Sequence, residues 1–163
     1  MTGLMTARPL AGSADRAHNP RWAYAATSGE RAALHGGRFK PRGTTALYTA
    51  LDPKTAWMEA QQGIPFKARP STLVAYRADC ECVVELADPL VLSVVGITLE
   101  TLGCPWEVLA ARGMTPPTWD LARTLIHAGR HGIVVPSFAP GTGDGGRNLV
   151  LWRWADAPPC RGE

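Results

Sequence analysis

Short strand-like segments follow one another along this chain with too few residues between most of them to form a crossover helix. That spacing constrains the fold more than any other feature, because parallel neighbours need a crossover of a dozen or more residues. Strands are expected at residues 22–26, 44–50, 71–78, 82–87, 90–95, 132–136 and 148–154. Helices are expected at 55–62, 105–113 and 118–127. The first is introduced by Asp52-Pro53, an N-cap residue followed by proline at the first helical position. In the last, Leu121, Ala122, Leu125 and Ile126 recur at helical spacing, and Gly129 stands where a C-terminal cap belongs. Strands outnumber helices, so the expected class is α+β: a compact single domain with mixed or antiparallel sheets and a few helices, not a doubly wound parallel sheet.

At 163 residues the chain fits one domain, and a domain of this size buries roughly 70% of its unfolded surface. Residues 1–19 are small, polar and interrupted by proline, which suggests a flexible arm. The folded domain is expected over 20–156, with 157–163 as a tail. No apolar run approaches the roughly 20 residues of a membrane span. The first residues also lack the charged start and apolar centre of a secretion signal, so a cytoplasmic protein is expected, with no membrane partner. A formal charge of +3 admits an anionic ligand but not the concentrated basic field of a nucleic-acid binder, and the six tryptophans are scattered. Cys80, Cys82, Cys104 and Cys160 include no Cys-x-x-Cys pair. They read as reduced thiols, Cys80 and Cys82 sharing one face of an extended segment.

Several positions suggest chemistry. In Gly36-Gly37-Arg38-Phe39-Lys40-Pro41-Arg42-Gly43, the glycines allow close backbone approach, and Arg38, Lys40 and Arg42 alternate. An extended chain would turn all three cations to one side, where they hold a pyrophosphate or form a solvated basic edge. Glu59 is an acid among Ala56, Trp57, Met58 and Ala60; it is either a functional carboxylate or half of a salt bridge. Ser137 follows the apolar Val134-Val135-Pro136 and is either a ligand-binding hydroxyl or a turn residue. No Gly-x-Ser-x-Gly surrounds it, which argues against a hydrolase nucleophile. The run from Gly141 to Gly146 spells G-x-G-x-x-G, yet a strand follows it where a dinucleotide fingerprint requires a helix, so it reads as a loop. His127 and His131 have helical metal-ligand spacing, but Gly129 lies between them and no acidic third ligand is near. No metal is expected.

In this order, GGRFKPRG, ALYTA, the Asp52-Pro53 helix start leading to Ala56 and Glu59, GIVVPS and NLVLW resemble the RES domain, a family named for an arginine, a glutamate and a serine. The resemblance runs from about Arg21 to Trp154. It implies a fold like the diphtheria-toxin class of ADP-ribosyltransferases and a toxin that consumes NAD as its substrate. It also implies a partner antitoxin carrying a helix-turn-helix domain. Carried onto this sequence, Arg21 and Arg38 would anchor phosphate or ribose oxygens, and Tyr48 would pack on the nicotinamide ring. Glu59 would face the ribose, and Ser137 would fix the nicotinamide or its ribose. The family's familiar tryptophan-asparagine after glycine-glycine-arginine is Phe39-Lys40 here, so a cation replaces an amide. The acceptor separates three activities: a protein side chain gives an ADP-ribosyltransferase, water a glycohydrolase and phosphate a phosphorylase. The small-residue N-terminal region leans towards transfer to a protein target. Rival classes are a non-catalytic nucleotide-binding module and a nucleic-acid-binding domain.

Overall fold

The computed structural model describes residues 7–18, 36–61, 71–154 and 160–162. Among these are the strands β1 (Ala7–His18), β2 (Leu47–Ala50), β3 (Thr72–Glu85), β4 (Gly132–Pro136), β5 (Arg147–Leu151) and β6 (Cys160–Gly162). The helices are α1 (Pro53–Ala60), α2 (Pro89–Val95), α3 (Leu99–Leu102), α4 (Trp106–Ala111) and α5 (Pro117–His127). The strands lie in the order β1-β2-β5-β4-β3-β6, and β1 pairs with β3 as well. Five strands therefore close a circuit, β1-β2-β5-β4-β3 and back to β1. Among the described residues only β3–β4 is parallel, and the other pairings are antiparallel. The fold is α+β with a mixed sheet, as the spacing of the segments led one to expect.

Four sequence expectations are corrected. First, the segment expected as a flexible arm is, over residues 7–18, the strand β1, which runs antiparallel to β3 from Ala7↔Val84 to His18↔Thr72. Its small and polar side chains carry no clear alternation, but a long neighbouring strand supplies backbone partners that need none. The register shifts between Arg8 and Leu10, across Pro9, which has no N–H to give. The tail likewise includes β6, paired to β3. Second, β3 is continuous where two strands were expected. Tyr76, Ala78 and Cys80 are buried while Arg77, Asp79 and Glu81 are exposed, so the charges mark one wet face of a single strand. Third, residues 90–95 belong to helix α2. Asp88 accepts from the Leu90 N–H, Pro89 occupies the first turn and Gly96 closes the helix with φ of 75°. These end signals outweigh the strand preference of Val and Leu. Fourth, Cys80 is disulfide-bonded, whereas Cys82 and Cys104 are free. The backbone register sets Cys80 opposite Cys160.

The core has two parts, one on each face of the central strands. Ile133 and Val135 of β4 and Val150 of β5 pack with Leu92, Leu102, Leu121 and Leu125 from the helices. Val134, Leu149 and Leu151 turn the other way, to Ala14, Leu47, Ala78 and Val83 inside the strand circuit. The uninterrupted apolar run of β4 follows from burial on both faces. The run from 141 to 146 is a loop between β4 and β5, as expected. His127 ends α5 and His131 lies beyond it, buried, its imidazole pushed below the ordinary histidine range by that burial. No group of His, Cys, Asp and Glu fit to hold a metal is found among the described residues.

Candidate functional site

The corner where β2 runs into α1 is fixed by local chemistry. Asp52 accepts from the Thr55 N–H at 2.8 Å and from the Thr55 hydroxyl at 2.7 Å, and these bonds hold its carboxyl below the usual range. The helix so started carries Glu59 on its second turn. Two donors from other elements converge on Glu59 Oε1: the Ser137 hydroxyl just beyond β4 at 2.5 Å, and Asn148 Nδ2 on β5 at 2.6 Å. Ser137 Oγ in turn accepts from the Ala139 N–H at 3.3 Å. Asn148 keeps its Oδ1 buried without a hydrogen-bond partner among the described residues. That oxygen is an acceptor awaiting a donor. Asn148 was not singled out from sequence; the available signal was an amide opening an otherwise apolar strand, next to a glycine-rich loop.

The glycine-glycine-arginine segment is a tight turn and not the extended row of cations expected. Gly37 and Lys40 exchange backbone hydrogen bonds, at 2.9 and 3.3 Å, which places Arg38 and Phe39 at the corner. Lys40 is thereby buried, at 1% exposure, while Arg42 is exposed and does not reach the cavity described below. Three aromatic side chains clamp this turn. Tyr48 Oη accepts from the Phe39 N–H at 3.0 Å, Trp119 Nε1 donates to Gly37 O at 2.7 Å, and Trp152 Nε1 donates to Phe39 O at 2.9 Å. Gly36 adopts φ of 78°, a conformation natural to glycine alone. A Cβ on Gly37 would lie 2.8 Å from the Tyr48 hydroxyl oxygen, so the second glycine lets that ring seat. Burial drives the Tyr48 phenol well above its ordinary range, with the Glu59 charge adding to the rise; it is neutral at physiological pH.

Arg38 reaches from the turn to the far side. Its Nη1 donates to Leu102 O at 3.1 Å and Cys104 O at 2.6 Å, and its guanidinium lies 5.1 Å from the centre of the Phe138 ring. Leu102 is the last residue of α3, where helix carbonyls are left open, and Cys104 O also accepts from the Trp106 N–H at 2.8 Å.

These pieces enclose a cavity of about 380 Å³, within the range of small-molecule sites. Arg38, Tyr48 and Glu59 all line it, as do Lys40, Asn148 and Phe138. Asp15 and Arg16 of β1 complete one side and Trp106 and Glu107 of α4 another. Burial and the nearby Asp52 charge push the Asp15 carboxyl upwards. Of the five residues singled out by sequence, the structure thus brings together Arg38, Tyr48 and Glu59 at the cavity, and binds Ser137 to Glu59. Arg21 lies outside the described residues, as do the strand expected at 22–26 and most of the preceding loop.

A family model, described as RES domain, matches residues 13–161. The chain belongs to the RES-domain family. Among solved structures, this RES domain is similar to the crystal structure of the M. tuberculosis MbcT–MbcA toxin–antitoxin complex. The TM-score is 0.69 at 16% identity, covering 96% of this chain and 84% of that chain. At that identity the likeness is one of fold. No curated protein matches the sequence. Arg38 and Glu59 thus line one cavity, and Ser137 is bound to Glu59.

Proposed function

We propose that this RES domain is the toxin of a toxin–antitoxin pair and cleaves the bond between nicotinamide and ribose in NAD, passing ADP-ribose to an acceptor. The observation that carries this reading is the Glu59 carboxylate, oriented by Ser137 and Asn148 at the wall of a cavity shared with Tyr48 and Arg38. Nicotinamide is a good leaving group, since the pyridinium departs neutral, and the barrier lies in the oxocarbenium-like sugar left behind. In the reaction the C1′–N bond breaks with its electron pair going to nicotinamide. A carboxylate beside C1′ stabilises the positive charge that develops there. The acceptor then bonds to C1′ and releases its proton. Two neutral donors on one oxygen fix the plane of the carboxylate without adding charge of their own.

Tyr48 contributes the face of its ring, which is held at the cavity where its hydroxyl accepts from the Phe39 N–H. Ser137 acts through Glu59 and not on the nicotinamide directly, since its hydroxyl donates to the carboxylate. Arg38 holds the 102–104 backbone against the turn and places Phe138 at the cavity. Transfer to a protein is the preferred outcome, with water or phosphate as the alternative acceptors. The partner is a helix-turn-helix antitoxin, the setting is the cytoplasm, and no metal takes part.

Folded protein incubated with NAD, alone and with cell extract, should release nicotinamide. Mass spectrometry of the products from labelled NAD then names the acceptor. Absence of release in both settings refutes the enzymatic reading and leaves a nucleotide-binding module. Growth arrest on expression, relieved by a co-expressed neighbouring gene, tests the toxin role.

A further inference from the structure

One rung of the sheet crosses the floor of the cavity. Asp15 on β1 pairs with Ala50 on β2, and Ala50 pairs with Asn148 on β5. Residues directly opposite one another in antiparallel strands share a face. Asp15 and Asn148 therefore stand on one side of the rung with the methyl group of Ala50 between them, and all three line the cavity. At the usual strand spacing their backbones lie about 10 Å apart. Glu59 joins the far end of the rung through the 2.6 Å bond from Asn148 Nδ2. Ala56 and Ala60 of α1 line the same cavity, so small side chains leave space above the floor. Nothing in the fold accounts for Asp15. It is 6% exposed, yet its carboxylate has no hydrogen bond or ion pair among the described residues. The charge that acts on it from Asp52 is that of another acid. A buried carboxyl in that state costs free energy until a donor reaches it.

We propose that Asp15 binds the ribose that carries nicotinamide, accepting from its hydroxyls across Ala50 from Glu59. This rests on the reading of the site given above, which sets that ribose against Glu59. A sugar laid over the Ala50 methyl has the Glu59 carboxylate at one edge and Asp15 at the other. Neighbouring hydroxyls on one ring suit the two acceptor oxygens of a single carboxylate, whereas a phosphate there would be repelled. Held at both edges, the ring cannot turn C1′ away from Glu59, and such positioning lowers the barrier to the step that follows.

The test compares wild type with Asp15→Ala, titrated by calorimetry with two probes. ADP-ribose keeps the ribose in question and ADP lacks it. Wild type should bind ADP-ribose more tightly than ADP. Asp15→Ala should lose affinity for ADP-ribose by about tenfold or more, the usual weight of a hydrogen bond to a charged group, while its affinity for ADP stays as in wild type. Three results would overturn the assignment: equal affinity for ADP-ribose in the two proteins, an equal loss for ADP, or wild type that binds ADP-ribose no more tightly than ADP. Unliganded melting temperatures are followed in parallel. Should Asp15→Ala not fold, the same comparison is read on Asp15→Asn, which keeps the shape and removes the charge. Nicotinamide release by wild type is scored separately. Its absence with the Asp15 dependence intact sinks the reaction and spares the ribose site, and release with any of the three overturning results does the reverse.

Discussion

The proposed reaction rests most heavily on Glu59, and the surroundings of that side chain say which substitutions are informative. A glutamine there keeps the shape, and its amide oxygen still accepts from Ser137 and Asn148. Only the charge is lost. Glu59→Gln should therefore fold and bind ADP-ribose as wild type does, while nicotinamide release falls by about 10²–10³-fold, the usual cost of removing a transition-state stabiliser. Undiminished release would make Glu59 structural. The two donors can be told apart in the same assay. Ser137→Ala removes one hydrogen bond to a charged group and should slow release by about tenfold. Asn148→Asp places a second carboxylate 2.6 Å from the first, where the two cannot both ionise without a large penalty. It should be the slower of the pair, and should recover partly as the pH is lowered.

At the level of elements, the turn from Gly36 to Lys40 shows what the sequence discloses and what it withholds. Removing the Tyr48 hydroxyl in Tyr48→Phe leaves the Phe39 N–H without its partner, at a cost of about 1–3 kcal/mol. Gly37→Ala forces a Cβ to within 2.8 Å of that same hydroxyl and should also destabilise, by about 1–3 kcal/mol. Because both changes act on one contact, their costs should not add. Gly37→Ala should be cheaper in the Tyr48→Phe background, a difference read from denaturant midpoints in a double-mutant cycle. Additive costs would mean that the ring does not seat on the glycine. The glycine pair, Tyr48, the Asp52-Pro53 helix start and Glu59 were legible because they lie within one short stretch whose local rules suffice. The Trp119 and Trp152 clamps were not, since they reach the turn from 82 and 113 residues away. A separation of 89 residues likewise hides Asn148 from any local reading of Glu59. Strand β1 escaped because its pairing is made by backbone, and α2 because apolar branched residues outweighed an Asp88-Pro89 start of the kind recognised at Asp52-Pro53.

For the whole molecule, the buried lysine Lys40 is a standing cost to the fold, and pH exposes it. The Lys40 amine lies at about 8 in the folded protein and near its ordinary 10.5 in the unfolded chain. Between those values the unfolded chain binds more protons, so the Lys40 contribution makes stability rise with pH. Below pH 8 the amine is charged in both states, and the folded state bears the full penalty, up to about 3 kcal/mol for a shift of this size. Above 10.5 it is neutral in both and the penalty is gone. Lys40→Met never bears it, so the variant should be the more stable protein at pH 7, and its advantage should shrink steadily from pH 8 to 10.5. Taking the difference between the two proteins cancels the contribution of other titrating groups, Tyr48 among them. Unfolding midpoints collected across that range decide the matter: a constant difference, or a variant less stable at pH 7, would show that the Lys40 charge is not a burden on the fold.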